Sequence, residues 1–433
     1  MVKKVEPPFE APPGTHWYDP EQLEQPPEQG EPKANGDDKH AILLREFEAR
    51  DFTQIAMRSW EHAGHYIRRN VVMTVAPGAY GKTSLVLLNA IEMALGRGLI
   101  GPPPAKRVRV LYWNGEDPDD EILRRIAAIC IRYQIDQHDL VGWLYLGGKL
   151  RMEQRLALLD RNQQLVINTE VLMGVEKYIG DHGIDCVIFD PLVAFHRVRE
   201  SLNELMEQMV QTAFGGLAER RNCCIELCQH TRKSSQAARD GDLGVDDSRG
   251  GGSITNAARS VRVLNRMSKE DAKLPGFDDE ERRQYLRVSQ DKTNMLPASK
   301  ASWIKLGSQQ LPNGPDGGPG DNVQVVEKWN YPAPFDGVTV ADLNWIRSAV
   351  LQGTYRKHRR SPDWVGKLLA KRLRLDVEKK SDAERISQIL RKWFAERVLA
   401  TAVRRDEKQR KDYEYIVPGD LNEGDASAPT FDE

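Results

Sequence analysis

The sequence predicts an α/β protein with a mostly parallel sheet, followed by a small basic helical unit. Three observations carry that expectation. Short apolar runs, Val71–Val75, Val108–Trp113, Cys186–Phe189 and Cys224–Cys228, alternate with helix-length stretches between residue 40 and about 310, the rhythm of strands joined by crossover helices. Each run stops at polar or glycine residues, where ligands bind in open parallel sheets. From Ile346 to Lys411 there are 20 Lys and Arg against 8 Asp and Glu, a surplus of 12 in a chain of net charge −2.

Composition divides the chain into five stretches. Residues 1–39 are rich in Pro, Glu and Gly with little periodicity, which predicts a disordered tail. Residues 40–310 form the α/β domain. The Gly/Pro cluster Leu311–Asp321 opens a predicted linker, 311–335. Residues 336–417 make the basic unit, and 418–433 a short acidic tail. Charged residues are 29% of the chain. No apolar run approaches the ~18 residues of a membrane span, and the first residues lack the apolar stretch of a signal peptide. A cytoplasmic protein with no membrane partner is expected. Five cysteines, Cys130, Cys186, Cys223, Cys224 and Cys228, sit in apolar segments without metal-ligand spacing, which reads as buried reduced thiols.

The first candidate strand, Val71–Val75, runs into Ala76-Pro77-Gly78-Ala79-Tyr80-Gly81-Lys82-Thr83-Ser84, followed by the helical Leu85-Val86-Leu87-Leu88. Strand, glycine-rich turn, Gly-Lys-Thr and helix in that order make a phosphate cradle. Backbone amides and the positive helix N-terminus wrap a β-phosphate. Lys82 reaches the β- and γ-oxygens, and the Thr83 hydroxyl binds Mg²⁺. ATP and Mg²⁺ are the expected ligands. Ala76 stands where the first glycine of G-x-x-x-x-G-K-[ST] belongs, which a methyl tolerates if φ stays negative.

The next three runs end at Asn114-Gly115-Glu116-Asp117-Pro118, at Asp190-Pro191 and at Gln229-His230. Asp190 closes a buried strand as a Walker B acid does, holding Mg²⁺ through water. Glu116 is the candidate base that orients and deprotonates water. His230 is a candidate γ-phosphate sensor.

These segments together resemble the RecA-like ATPases, specifically the RepA-type hexameric replicative helicases and their phage and mobile-element relatives. The resemblance covers roughly residues 55–310. It begins at Gly64-His65-Tyr66-Ile67-Arg68 and continues through APGAYGKTSL, VLYWNGEDP, CVIFDPL and LCQHTRK. Ser248–Ser253, Asn256–Val261 and Arg287–Asn294 complete it. It implies that Lys82 and Thr83 bind phosphate and Mg²⁺, Glu116 is the catalytic base, Asp190 the Walker B acid and His230 part of the sensor. It also implies that Arg259 and Lys292 reach a neighbouring subunit's γ-phosphate in a homo-hexamer. Ala76 and Gln229 depart from the family pattern. From the residues alone, Arg259 and Lys292 read equally well as solvated surface cations.

The polar segment between His230 and Ser253 contains Lys233 and Arg249, and the resemblance implies that it faces a central channel and contacts single-stranded DNA. Its acids outnumber its arginines, so a plain surface loop is the other reading. In the basic unit, Thr339 caps a helix Val340–Gln352, and Ser361-Pro362-Asp363 opens a second. A third runs from about Asp382 to Arg397. Val398–Val403 and Tyr413–Val417 then read as strands of a winged helix-turn-helix. Arg385, Arg391 and Lys392 on the third helix, with Arg404 and Arg405 on the wing, are the expected duplex contacts. A protein-docking unit is the alternative. The expected function is an ATP-dependent DNA helicase or motor in replication of a phage, plasmid or integrated element. The other expectations are an ATP-regulated DNA-binding protein or a recombination ATPase that does not unwind.

Overall fold

The computed structural model describes residue 47 and residues 49–150, 154–231, 252–293, 295–297, 300–406 and 411–420. The stretch read as a disordered tail, 1–39, lies outside them. Two compact units divide after Met57. In the first, Asp51 caps the single turn Phe52–Gln54, its carboxylate accepting from the Thr53 amide at 2.9 Å and hydroxyl at 2.7 Å.

The second unit opens with a small hairpin of β1 (Trp60–His62) and β2 (Tyr66–Ile67), then β3 (Val71–Ala76) and α1 (Lys82–Leu95). There follow β4 (Val110–Asn114), α2 (Asp119–Tyr133), β5 (Leu144–Gly147), β6 (Ala157–Leu159), β7 (Leu165–Ile167) and α3 (Thr169–His182). Next come β8 (Cys186–Asp190), α4 (Asn203–Met209), α5 (Gly216–Arg220), β9 (Cys224–His230), α6 (Gly252–Ala257) and β10 (Ser260–Arg266). The sheet is completed by β11 (Tyr285–Thr293), β12 (Ser302–Gln310) and β13 (Asn322–Lys328).

Nine strands form one sheet in the order β13-β12-β11-β10-β3-β9-β8-β4-β5. Pairing is parallel from β5 to β10 and antiparallel from β10 to β13. The phosphate-loop strand β3 lies between β9 and β10, with β8 beyond β9. A strand, a glycine-rich loop and a helix thus sit at the middle of a mostly parallel α/β sheet. β3 and β8 are buried at every position, which explains why they read as continuous apolar runs rather than alternating ones. All five cysteines are buried free thiols.

The sheet does not end near residue 310, so the predicted linker 311–335 needs correction. Leu311–Asp321 is the turn of a hairpin between β12 and β13. The Leu311 amide donates to the Asp321 carbonyl at 2.8 Å, and the Asn313 side chain bonds Asp321 at 2.8 and 2.9 Å. Glycine and proline marked a strand reversal, not a domain boundary. β13 also curls back over α1 to meet α2: Tyr133 donates to the Val326 carbonyl at 2.6 Å, and Arg132 pairs with Glu327 at 2.9 Å. That curl leaves α1 buried on nearly every side.

The lead-in Gly64–Arg68 ties the hairpin to the core. His65 bonds Glu226 of β9 at 2.7 Å and Ser260 of β10 at 2.9 Å. Arg262 donates to Tyr66, Asn89 and Thr74 at 2.8, 2.8 and 2.6 Å. Buried polar groups keep their cost small only when paired in this way.

The basic unit contains α7 (Val340–Gln352), α8 (Val365–Leu373), α9 (Lys380–Ala395), and a hairpin of β14 (Leu399–Asp406) and β15 (Lys411–Pro418). Its core is Ile346, Val350, Val365, Leu369, Ile386, Ile389, Trp393, Leu399 and Ile416 among others. Thr339 caps α7 reciprocally with Asp342, a capping box. The second helix starts later than the serine cap predicted. Trp364 is buried with an extended backbone, and Arg356 bonds both Asp363 and Val365 at 2.8 and 3.0 Å. Those strand-like bonds take up the backbone that an earlier helix would have used.

Candidate nucleotide site

β3, β4, β8 and β9 deliver their C-terminal residues to one edge of the sheet, where a cleft of about 630 Å³ opens beside α1. Ala76 is the last residue of β3 and pairs with His230. It is absent from the positive-φ positions, so its methyl occupies an ordinary strand site and the departure from glycine costs nothing there. Ala79 and Gly81 take the left-handed conformation at φ 63° and 70°. A Cβ on Gly81 would lie 2.7 Å from the Leu306 side chain. Glycine is required at this position on both counts.

Lys82, the first residue of α1, is buried and hydrogen-bonded to the Asp190 carboxylate. Tyr112 donates to the other Asp190 oxygen at 3.0 Å, and Asn114 donates to Tyr112 at 3.3 Å. Burial pushes the Lys82 ammonium toward neutrality, but Asp190, with Cys228 and Glu116, holds the lysine above its usual range. Burial likewise opposes the Asp190 charge. Lys82, with hydrogen bonds from Lys82, Thr83 and Tyr112, brings that carboxyl below the usual range.

Glu116 lines the cleft with Lys82 and Thr83, while Asp190 lies buried behind Lys82 and outside the lining. The Asn114 side chain accepts from the Glu116 and Asp117 amides at 2.9 and 2.8 Å, fixing the turn that presents the carboxylate. Desolvation raises the Glu116 pKa against the attraction of Lys82, aided by Asp190 and Asp117. A carboxylate made more basic suits a proton acceptor. Thr83 and Asp190 offer the hard oxygen donors Mg²⁺ prefers, the remainder coming from water and phosphate. Among the described residues, no group of three or more His, Cys, Asp and Glu forms a self-sufficient metal cage.

Pro77, Ala79, Tyr80, Gly81, Lys82, Thr83, Ser84, Glu116 and His230 all line the cleft. Arg259 and Lys292 do not. The Arg259 amide donates to the Val71 carbonyl, and Lys292 pairs with Val261, which pairs with Met73, so along the strands the two lie roughly 17 and 10 Å from Ala76 at ~3.3 Å per residue. Lys292 instead donates to the Thr255 and Asn256 carbonyls at 2.8 and 3.0 Å. Burial first, and then Arg259, lower its pKa.

Sequence reasoning missed the wall contributed by β13. Asp321, Asn322, Val323 and Gln324 line the cleft with Arg124 and Arg125 of α2. Ser84 donates to Gln324 at 3.0 Å, and Arg124 pairs with Asp321 at 3.2 Å. It also missed Arg266, whose guanidinium lies 4.3 Å from the Tyr80 ring.

The predicted DNA contacts divide. Lys233 and Arg249 lie outside the described residues. Arg404 and Arg405 are exposed on β14. Arg385 is not available: its guanidinium donates to the Pro334 carbonyl at 2.9 Å and to that of Asp336. Arg391 and Lys392 are exposed but form one wall of a groove. Helical periodicity showed this face to be polar but not that the connecting segment packs on it. No helix among the described residues is long and apolar enough to cross a membrane.

Residues 40–236 match a family model described as an AAA domain. A solved structure of an ATPase domain aligns at 14% identity with a TM-score of 0.38, covering 55% of this chain and 82% of that one.

Proposed function

We propose that this chain is an ATP-hydrolysing DNA motor of replication, acting as a homo-oligomeric helicase, with the C-terminal unit serving as a winged-helix duplex-binding module. The observation that carries the chemistry is one cleft lined by Lys82, Thr83 and Glu116, with Asp190 buried behind Lys82 and hydrogen-bonded to it. Incoming phosphates would offer Lys82 a competing anion and draw it from Asp190, leaving that carboxylate, with Thr83, to hold Mg²⁺. Bound Mg²⁺ supplies charge neutralisation on the phosphate oxygens. Loop amides from Gly78 to Thr83 hold the phosphates, and Glu116 accepts the proton of the attacking water.

Ring assembly is supported by Arg259, exposed and distant from its own cleft and so suited to a neighbour's, whereas Lys292 is held by the Thr255 and Asn256 carbonyls. The Lys and Arg surplus of the C-terminal unit supports duplex binding. Glu116→Gln should bind a fluorescent ATP analogue normally while hydrolysis falls by at least ~10². Wild-type turnover in that variant would remove Glu116 as the base. Mixing Lys82→Ala with Arg259→Ala protein should restore hydrolysis at interfaces that pair an intact cleft with an intact arginine. Forked-DNA strand displacement separates a helicase from an ATP-regulated DNA binder.

A further inference from the structure

We infer that the groove between α9 and the segment 333–335 is a docking site for the chain's own acidic segment, residues 420–433. The groove encloses about 710 Å³, and Lys300, Pro334, Phe335, Gln388, Arg391, Lys392 and Ala395 are among its lining residues. Its floor is apolar, and Lys300, Arg391 and Lys392 put three cations on its walls. Among the described residues neither Lys300 nor Arg391 has an ion-pair partner. Lys392 has Glu396 at 3.7 Å and stands 5.2 Å from the Phe335 ring. The surface therefore fits an extended anionic segment that also carries an apolar side chain.

Residues 420–433 have that composition. Asp420, Glu423, Asp425, Asp432 and Glu433 are accompanied by no lysine or arginine, and Leu421 and Phe431 supply apolar bulk. The segment also leaves the fold at the right place. Pro418 pairs with Leu399, and the Gly419 amide donates to the Val398 carbonyl at 3.1 Å, three residues past Ala395 at the groove's end. From Ala395 to Gln388 the groove runs back along about 10 Å of helix. Fourteen residues reach about 46 Å extended. A tether this short gives an effective concentration on the order of millimolar, so a weak intrinsic contact suffices. Carboxylates would meet Lys300, Arg391 and Lys392, and Phe431 the Pro334–Phe335 floor.

The test uses a fluorescent synthetic peptide of residues 420–433 and measures anisotropy with full-length protein and with protein ending at Gly419. The truncation removes no described element of the hairpin. The shortened protein should bind the peptide saturably, and the full-length protein about tenfold or more weakly, because its groove is filled in cis. Arg391→Glu with Lys392→Glu should abolish binding to the shortened protein while its circular dichroism stays unchanged, both side chains being exposed. Phe431→Ala in the peptide should weaken binding severalfold. Equal binding by full-length and shortened protein overturns the proposal. So does undiminished binding of a scrambled peptide of the same composition, which would make the groove a general polyanion surface and favour nucleic acid as its occupant.

Discussion

Lys82 and Asp190, 108 residues apart in sequence, are hydrogen-bonded in the interior at the ends of α1 and β8. Each favours the other's charged form against the opposing effect of burial. The loop after β3 and the end of β8 are thereby tied to each other.

Removing one member of that pair leaves an uncompensated buried charge. Lys82→Ala should abolish nucleotide binding and also cost about 3–5 kcal/mol of stability, read by chemical denaturation. Lys82→Ala with Asp190→Ala should recover part of the stability and none of the binding. Full stability of Lys82→Ala alone would show that the pair contributes little to the fold.

Gly81→Ala tests the loop itself. The left-handed φ costs a non-glycine residue about 1–2 kcal/mol, and the added methyl meets Leu306. Both push the loop amides out of position, so the expected result is loss of ATP-analogue binding with a lower melting temperature. Unchanged binding would refute the need for glycine.

His196 predicts an acid-sensitive core. It is 2% exposed, its Nδ1 accepts from the Val198 amide at 3.1 Å, and its pKa falls from the usual 6.5 to about 4, chiefly through burial. The folded state therefore holds the neutral ring. Its contribution is present above pH 6.5 and is lost as pH falls through about 4, to a total of roughly 3 kcal/mol. His196→Gln should flatten unfolding free energy across that window. An unchanged slope would place the acid response elsewhere.

Arg404 and Arg405 are the wing cations open to solvent. If both contact phosphate, Arg404→Glu with Arg405→Glu should reduce the slope of log affinity against log salt by about 1.8 on duplex DNA. Basal ATP hydrolysis should not change. An identical slope would remove the wing from the DNA interface and favour a protein-docking role for the unit.

The glycine-rich loop after β3, three further strand ends and the Thr339 cap of α7 were all readable, because each depends on neighbours within a few residues. β13 was not. Its first residues line the cleft through contact with Ser84 and Arg124, about 200–240 residues away, and its turn has the same composition as a linker. Arg385 was misread for a related reason. An arginine on a polar helix face looks the same whether it meets solvent or two backbone carbonyls, and only the path of residues 334–336 decides. Ser361-Pro362-Asp363 carried a true helix-start signal locally, but the burial of Trp364 overrode it.

β13 has a mechanical consequence. Its first residues touch the nucleotide cleft, and its last, Lys328, leads directly into Trp329 and Tyr331, whose hydroxyl donates to the Asp271 carbonyl at 2.7 Å. Seven residues of strand make a strut about 23 Å long, stiffened by its ladder to β12. The wall of the cleft and the segment that enters the basic unit are therefore held in place by one and the same strand.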